Sequence, residues 1–183
     1  MKYISLDIET TGLYTDIDKI LEVGAIIEDT NLKLPRIQCP TFHIYIDRER
    51  VFGDIFALSL NAHILKKILE LRKTEDRALV KEDVVVTQFM EFLKDNGIEK
   101  VTFAGKNFMG FDLQFLKKLP DFHLVKYHYR ALDPAVLFTD FVNDTCLPDL
   151  SVCKARAGFA NTMVTHEALD DAWDVIELLR TQY

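Results

Sequence analysis

Near the start of the chain the apolar residues recur at every second position: Ile4, Leu6 and Ile8 alternate with Tyr3, Ser5, Asp7 and Glu9. That is the period of a β-strand, so Asp7 and Glu9 are predicted to leave it on one face. Ile20–Ile27 is an apolar run of strand length, and Thr41–Ile46 alternates again, with the two-proline segment Asn31–Pro40 as the loop between them. Three strands in succession with short connections predict an antiparallel meander. From Ala57 to Arg72 the spacing of Leu58, Leu60, Ile64, Leu65, Ile68, Leu69 and Leu71 becomes helical, with Lys66-Lys67 as a solvated pair. A second helix is predicted from Asp83, as N-cap, to Asn96, with Gly97 as the stop. Lys100–Ala104 reads as a fourth strand, Phe111–Leu119 as a helix closed by Pro120, and Arg130–Asp133 as a short fifth strand. Pro134 then opens another helix, followed by helices over Asp149–Ala157 and Thr165–Arg180. Strands first, then strands alternating with helices, make an α/β domain with a mixed sheet; no linker divides residues 1–183.

The chain has 29 acidic residues, so most are surface charges and position must single out the others. Asp7 and Glu9 sit side by side with no basic residue between them. Burying two such carboxylates unpaired costs several kcal/mol each, and a divalent cation removes that cost. In the last helix, at roughly 100° per residue, Asp170, Asp174 and Glu177 fall opposite the apolar arc and read as solvated. Asp171 falls between Val175 and Leu178, at the margin of the buried face, and needs a partner. Asp112 likewise lies within the inward arc of Phe111, Phe115, Leu116 and Leu119; the plainer reading is a helix cap. His166 precedes the last helix by a turn. Beside an acidic metal cluster its unperturbed pKa of about 6.5 suits a general base.

Composition narrows the setting. Hydrophobic residues make up 49% and charged residues 28%, which is globular usage. No apolar run approaches the roughly 20 residues that span a bilayer, and no basic-then-apolar leader opens the chain, so no membrane partner is expected. Cys39, Cys146 and Cys153 lack metal-site spacing and read as free thiols in a reducing cytoplasm. The net charge of −7 argues against an unaided basic footprint for nucleic acid. Divalent ions held by the acids would offset that charge where a phosphate arrives.

These residues together resemble a family. DIETTGL at Asp7–Leu13, KNFMGFDLQFL at Lys106–Leu116 and HEALDDA at His166–Ala172 resemble, in order, the three motifs of the DEDDh 3′–5′ exonucleases. That group includes polymerase proofreading exonucleases, RNase T and oligoribonuclease. YRALDPAVLF at Tyr129–Phe138 is similar to the segment the family places between its second and third motifs. The resemblance implies a ribonuclease H-like fold, with a mostly five-stranded mixed sheet flanked by helices, and a single exonuclease domain over residues 1–183. It implies that Asp7, Glu9, Asp112 and Asp171 hold two divalent cations, Mg²⁺ or Mn²⁺, and that His166 deprotonates the attacking water. Thr10, Thr11, Gly12 and Leu13 would cradle the 3′ terminus, with Leu13 wedged against the last base. Asn107 is a further candidate for substrate contact, and Asp133 for support. Phe108 and Phe111 are candidates for base stacking, although phenylalanines beside an apolar helix are more often core. A histidine five residues before Asp171, with Glu167 where a sister subclass has tyrosine, marks the h type. Lys106 departs from the histidine many relatives carry there.

The implied activity is hydrolysis at the free 3′ end of single-stranded DNA or RNA, releasing nucleoside 5′-monophosphates. The alternatives are an enzyme restricted to short RNA oligomers, like oligoribonuclease, and a non-catalytic nucleic-acid-binding module of the same fold. The complete set of four acids and a histidine weighs against the module. Candidate protein partners are a second copy of the chain or a polymerase.

Overall fold

The computed structural model describes residues Met1–Tyr183. Strands β1 (Lys2–Thr10), β2 (Ile20–Asp29) and β3 (Thr41–Ile46) form the predicted antiparallel meander. Helices α1 (Ile55–Leu60) and α2 (Ala62–Thr74) follow, then β4 (Leu79–Val80), α3 (Val85–Asp95), β5 (Phe103–Ala104), α4 (Asp112–Leu116), α5 (Leu150–Arg156) and α6 (Ala168–Arg180). The sheet order is β4-β3-β2-β1-β5, with β4 and β5 parallel to their neighbours, so the sheet is mixed and five-stranded. No helix is long and apolar enough to cross a membrane.

The sheet departs from expectation at its fifth strand, which is Leu79–Val80 and not Arg130–Asp133. Leu132 only bridges Ala104 before the chain turns away at Pro134, whose missing N–H cannot extend a ladder. Asp133 instead caps the 3₁₀ turn Pro134–Phe138 by accepting from the Ala135 amide at 2.8 Å. Two-residue β4 carries no period to read. The helix predicted over Ala57–Arg72 is two helices, broken at Asn61, and it begins earlier because Asp54 caps the Phe56 and Ala57 amides. Asp83 is no cap: it lies in the 3₁₀ turn Glu82–Val84 ahead of α3.

Both faces of β1 are covered. Ile4, Leu6 and Ile8 pack with Val86 and Phe89 of α3 and with Leu113, Phe115 and Leu116 of α4. Tyr3, on the other face, packs with Ala172, Val175 and Ile176 of α6 and with Cys153 of α5. The polar alternation in β1 therefore marks no solvent face. Its carboxylates Asp7 and Glu9 lie between these layers, beside α6.

Candidate active site

Strand register explains how α6 reaches Asp7. Asp7 pairs with Gly24, and Glu9 with Glu22, on the β1–β2 ladder. A Cβ on Gly24 would lie 2.5 Å from backbone atoms of Ala168 and Leu169, so only glycine lets the first turn of α6 settle there. Glu22 is fully buried; one carboxylate oxygen accepts from the Ala168 amide at 3.1 Å, and the other lies 2.6 Å from His43 Nε2. A carboxylate at the first amide of a helix satisfies an orphan donor and suits the helix dipole. One turn further on, Asp171 is buried at the cluster, and its Oδ1 accepts from the amide and hydroxyl of Thr165 at 3.4 and 3.3 Å.

Asp112 arrives from the opposite side. The pairing of β1 with β5 ends at Ser5–Ala104, and beyond it the Ile8 amide donates to Asp112 Oδ1 at 3.1 Å. Asp112 is 3% exposed and does not serve as the cap of α4, whose N-cap position is Phe111. Ligand atoms of Glu9, His166 and Asp171 all lie within 4.8 Å of one another, with His166 Nδ1 3.9 Å from Glu9 Oε1. Asp7, Glu9, His166 and Asp171 line one open hollow of about 670 Å³, together with Lys106, Phe111 and Met163.

Four acids this close cannot all be ionised cheaply. Burial, then the charges of Asp112, Asp171 and Glu9, holds Asp7 well above the usual carboxylate range. Burial pushes Glu9 up to about 8 against a hydrogen bond from Asn61, Asp112 to about 7 and Asp171 to about 6. The one lysine or arginine lining the hollow, Lys106, is 3.0 Å from Asp149 and answers that charge instead. Burial and the neighbouring His63 lower His166, which favours a neutral imidazole. The donor set is rich in carboxylate oxygens and short of positive charge, which fits hard divalent cations such as Mg²⁺ or Mn²⁺.

Each acid holds its proton more tightly in the folded chain than in the unfolded one, where carboxyls titrate near 4. In metal-free protein, stability is therefore lost as pH rises from about 4 through the folded values of about 6 to 8. Thermal denaturation in chelator should give a lower Tm at pH 8 than at pH 5.5. Millimolar Mn²⁺ should raise the pH 8 value by about 5 °C or more. A Tm indifferent to metal at pH 8 would show that the cluster holds no cation.

The remaining predicted contact residues divide. Leu13 is 72% exposed, and half-buried Phe111 lines the hollow. Phe108 is 1% exposed and stacks on Phe103 at 4.6 Å, so it is core and cannot meet a base. The hydroxyls of Thr10 and Thr11 bond inward, to Gly12 O at 2.6 Å and to Asp18 at 3.3 Å, and hold the turn instead of facing the hollow. Gly12 is buried against the Asp18 carboxylate. Asn107 is exposed at φ +55°, and its backbone amide donates to Asp133 at 2.9 Å, which makes Asp133 a support for the second motif. Asp174, read as solvated, pairs at 2.5 Å with buried Lys154, which also donates to Met163 O at 2.7 Å and ties down the loop leading to His166. Sequence reasoning missed Glu22, His43 and Gly24. A lone acid inside the apolar run Ile20–Ile27 is the signal that could have flagged Glu22, by the same logic applied to Asp7.

A family model described as exonuclease, RNase T, matches residues 4–179, and the chain belongs to that family. Its three motifs resemble those of the DEDDh type, and the family is one of exonuclease hydrolases. It is 27% identical to the oligoribonuclease of Chromobacterium violaceum over 180 residues, 97% of this chain and 91% of that protein. The solved nuclease domain of 3′hExo, a DEDDh family member bound to rAMP, superposes with a TM-score of 0.70 at 16% identity, covering 99% of this chain and 90% of that one. Escherichia coli exonuclease I in complex with a dT13 oligonucleotide gives 0.64 at 13% identity, over 98% of this chain and 40% of that one.

Proposed function

We propose that the chain hydrolyses the terminal phosphodiester bond at the 3′ end of single-stranded nucleic acid, releasing nucleoside 5′-monophosphates. Asp7, Glu9, Asp112 and Asp171 would hold two divalent cations, and His166 would act as general base. The observation that carries this reading is the convergence of Glu9, His166 and Asp171 within 4.8 Å in an open hollow that Asp7 also lines. Two divalent cations, when bound, activate water and offset charge on the attacking and leaving oxygens. The water oxygen bonds to phosphorus, the bond to the 3′ oxygen of the penultimate nucleotide breaks, and His166 takes the proton of the water. Its lowered pKa keeps the ring able to accept it near neutral pH. Leu13 at the surface and Phe111 in the hollow offer apolar contact to bases, and Lys106 offers a cation to a phosphate once Asp149 gives it up.

Short RNA oligomers form the narrower reading. It is favoured by an alignment that covers 97% of this chain and 91% of a relative named oligoribonuclease. A labelled panel of DNA and RNA, from two residues to long, with Mn²⁺ and with chelator, tests both. Metal-dependent release of mononucleotides from 3′ ends is expected, fastest on RNA of a few residues. Equal rates on long DNA and short RNA would discard the narrower reading, and no metal-dependent mononucleotide release would discard both.

A further inference from the structure

His166 occupies an unfavourable place. Its φ of +56° is the left-handed region that L residues with a Cβ seldom adopt, and the chain from Phe159 to Glu167 has no helix or strand. Such a residue holds one orientation only if neighbouring groups over-determine it. Downstream, α6 is fixed by Glu22 at the Ala168 amide, and upstream Thr165 is tied to Asp171. The His166 carbonyl has its own partner on another element: His63 Nε2, 3.0 Å away, in the first turn of α2. That turn is itself locked to β1, because buried Asn61 at its start donates its side-chain amide to Thr10 O at 2.9 Å. A chain of contacts thus runs from the strand carrying Asp7 and Glu9, through Asn61 and α2, to His63 and back to His166.

We propose that His63 is a positioning residue for His166, bracing the left-handed carbonyl so that the imidazole faces Glu9 and the hollow. The proposal rests on the reading of His166 as the base. His63 has no place in the three motifs and touches none of the four acids through a hydrogen bond. Its ring must donate from Nε2, which the Nε2–H tautomer does. A glutamine can donate to the same carbonyl; an alanine cannot.

The test uses the full chain. His63→Ala keeps a helix-favouring residue at an exposed site, so folding is expected to survive. Turnover should fall about tenfold with KM and Mn²⁺ affinity unchanged, as expected of a base held slightly out of line. His63→Gln should recover most of that loss. In a His166→Ala background His63→Ala should cost nothing more, because no base remains to be placed. A second readout needs no turnover: with five histidines in the chain, ring signals are assignable by NMR. Those of His166 should shift in His63→Ala and return in His63→Gln. Wild-type turnover in His63→Ala, a further loss in the His166→Ala background, or unmoved His166 signals would each overturn the brace. If the wild-type protein released no mononucleotides the proposed function would fall, while the ring signals would still decide whether His63 sets His166.

Discussion

Asp7→Asn is expected to remove roughly a thousandfold or more of the cleavage rate while making the metal-free protein more stable. Asp7 is the acid on which the others converge: Asp112, Asp171 and Glu9 each raise its pKa in addition to burial. Asparagine keeps its shape and removes its charge, so the packing of α6 over Gly24 is undisturbed. What is lost is the donor with charged neighbours on both sides, from α6 and from α4. What is gained is relief of repulsion among buried carboxylates, a gain that grows with pH because more of them are then ionised. Cleavage of a labelled 3′ strand at saturating Mn²⁺, and Tm in chelator at pH 8, measure the two halves. Activity within tenfold of wild type would remove Asp7 from the site. A lower Tm would mean its carboxylate is satisfied without a cation.

That opposition between stability and activity also explains which features are legible in the amino-acid sequence. Apolar periodicity locates β1, β2, β3 and α6, because each is long enough to repeat its pattern against a layer. It cannot find β4 or the break at Asn61. Two residues carry no period, and a polar residue at a helix margin looks like surface until its partner, here Thr10 O, is known. The acids are legible because a carboxylate in an apolar arc is costly wherever it lands. Their support is not. Glu22 caps α6 from 146 residues away in sequence, and Gly24 matters only because α6 rests on it. Phe108 shows the converse limit: its place in a motif leaves base contact and core both open, and packing on Phe103 settles it as core.

His166→Ala should lower turnover by roughly 10²–10⁴-fold. The histidine lies close enough to Glu9 and Asp171 to be read as a ligand instead, with one ring nitrogen inside the same 4.8 Å. The two roles predict different failures. As a ligand, His166 would hold the cation, so its loss would weaken Mn²⁺ binding and the rate would return as Mn²⁺ is raised. As a base, its loss would leave Mn²⁺ affinity nearly intact and the rate low at any concentration. The structure favours the base. Hard cations prefer oxygen donors, and the carboxylates of Asp7, Glu9 and Asp171 already line the hollow. At 3.9 Å from Glu9 the ring is outside hydrogen-bond reach, and it is partly exposed, which leaves it open to a water molecule. Because burial and His63 lower its pKa, the acid limb of turnover at saturating metal should lie below pH 6.5. The alanine variant should lose that limb. Recovery of its rate at high Mn²⁺ would make His166 a ligand and leave the site without an assigned base.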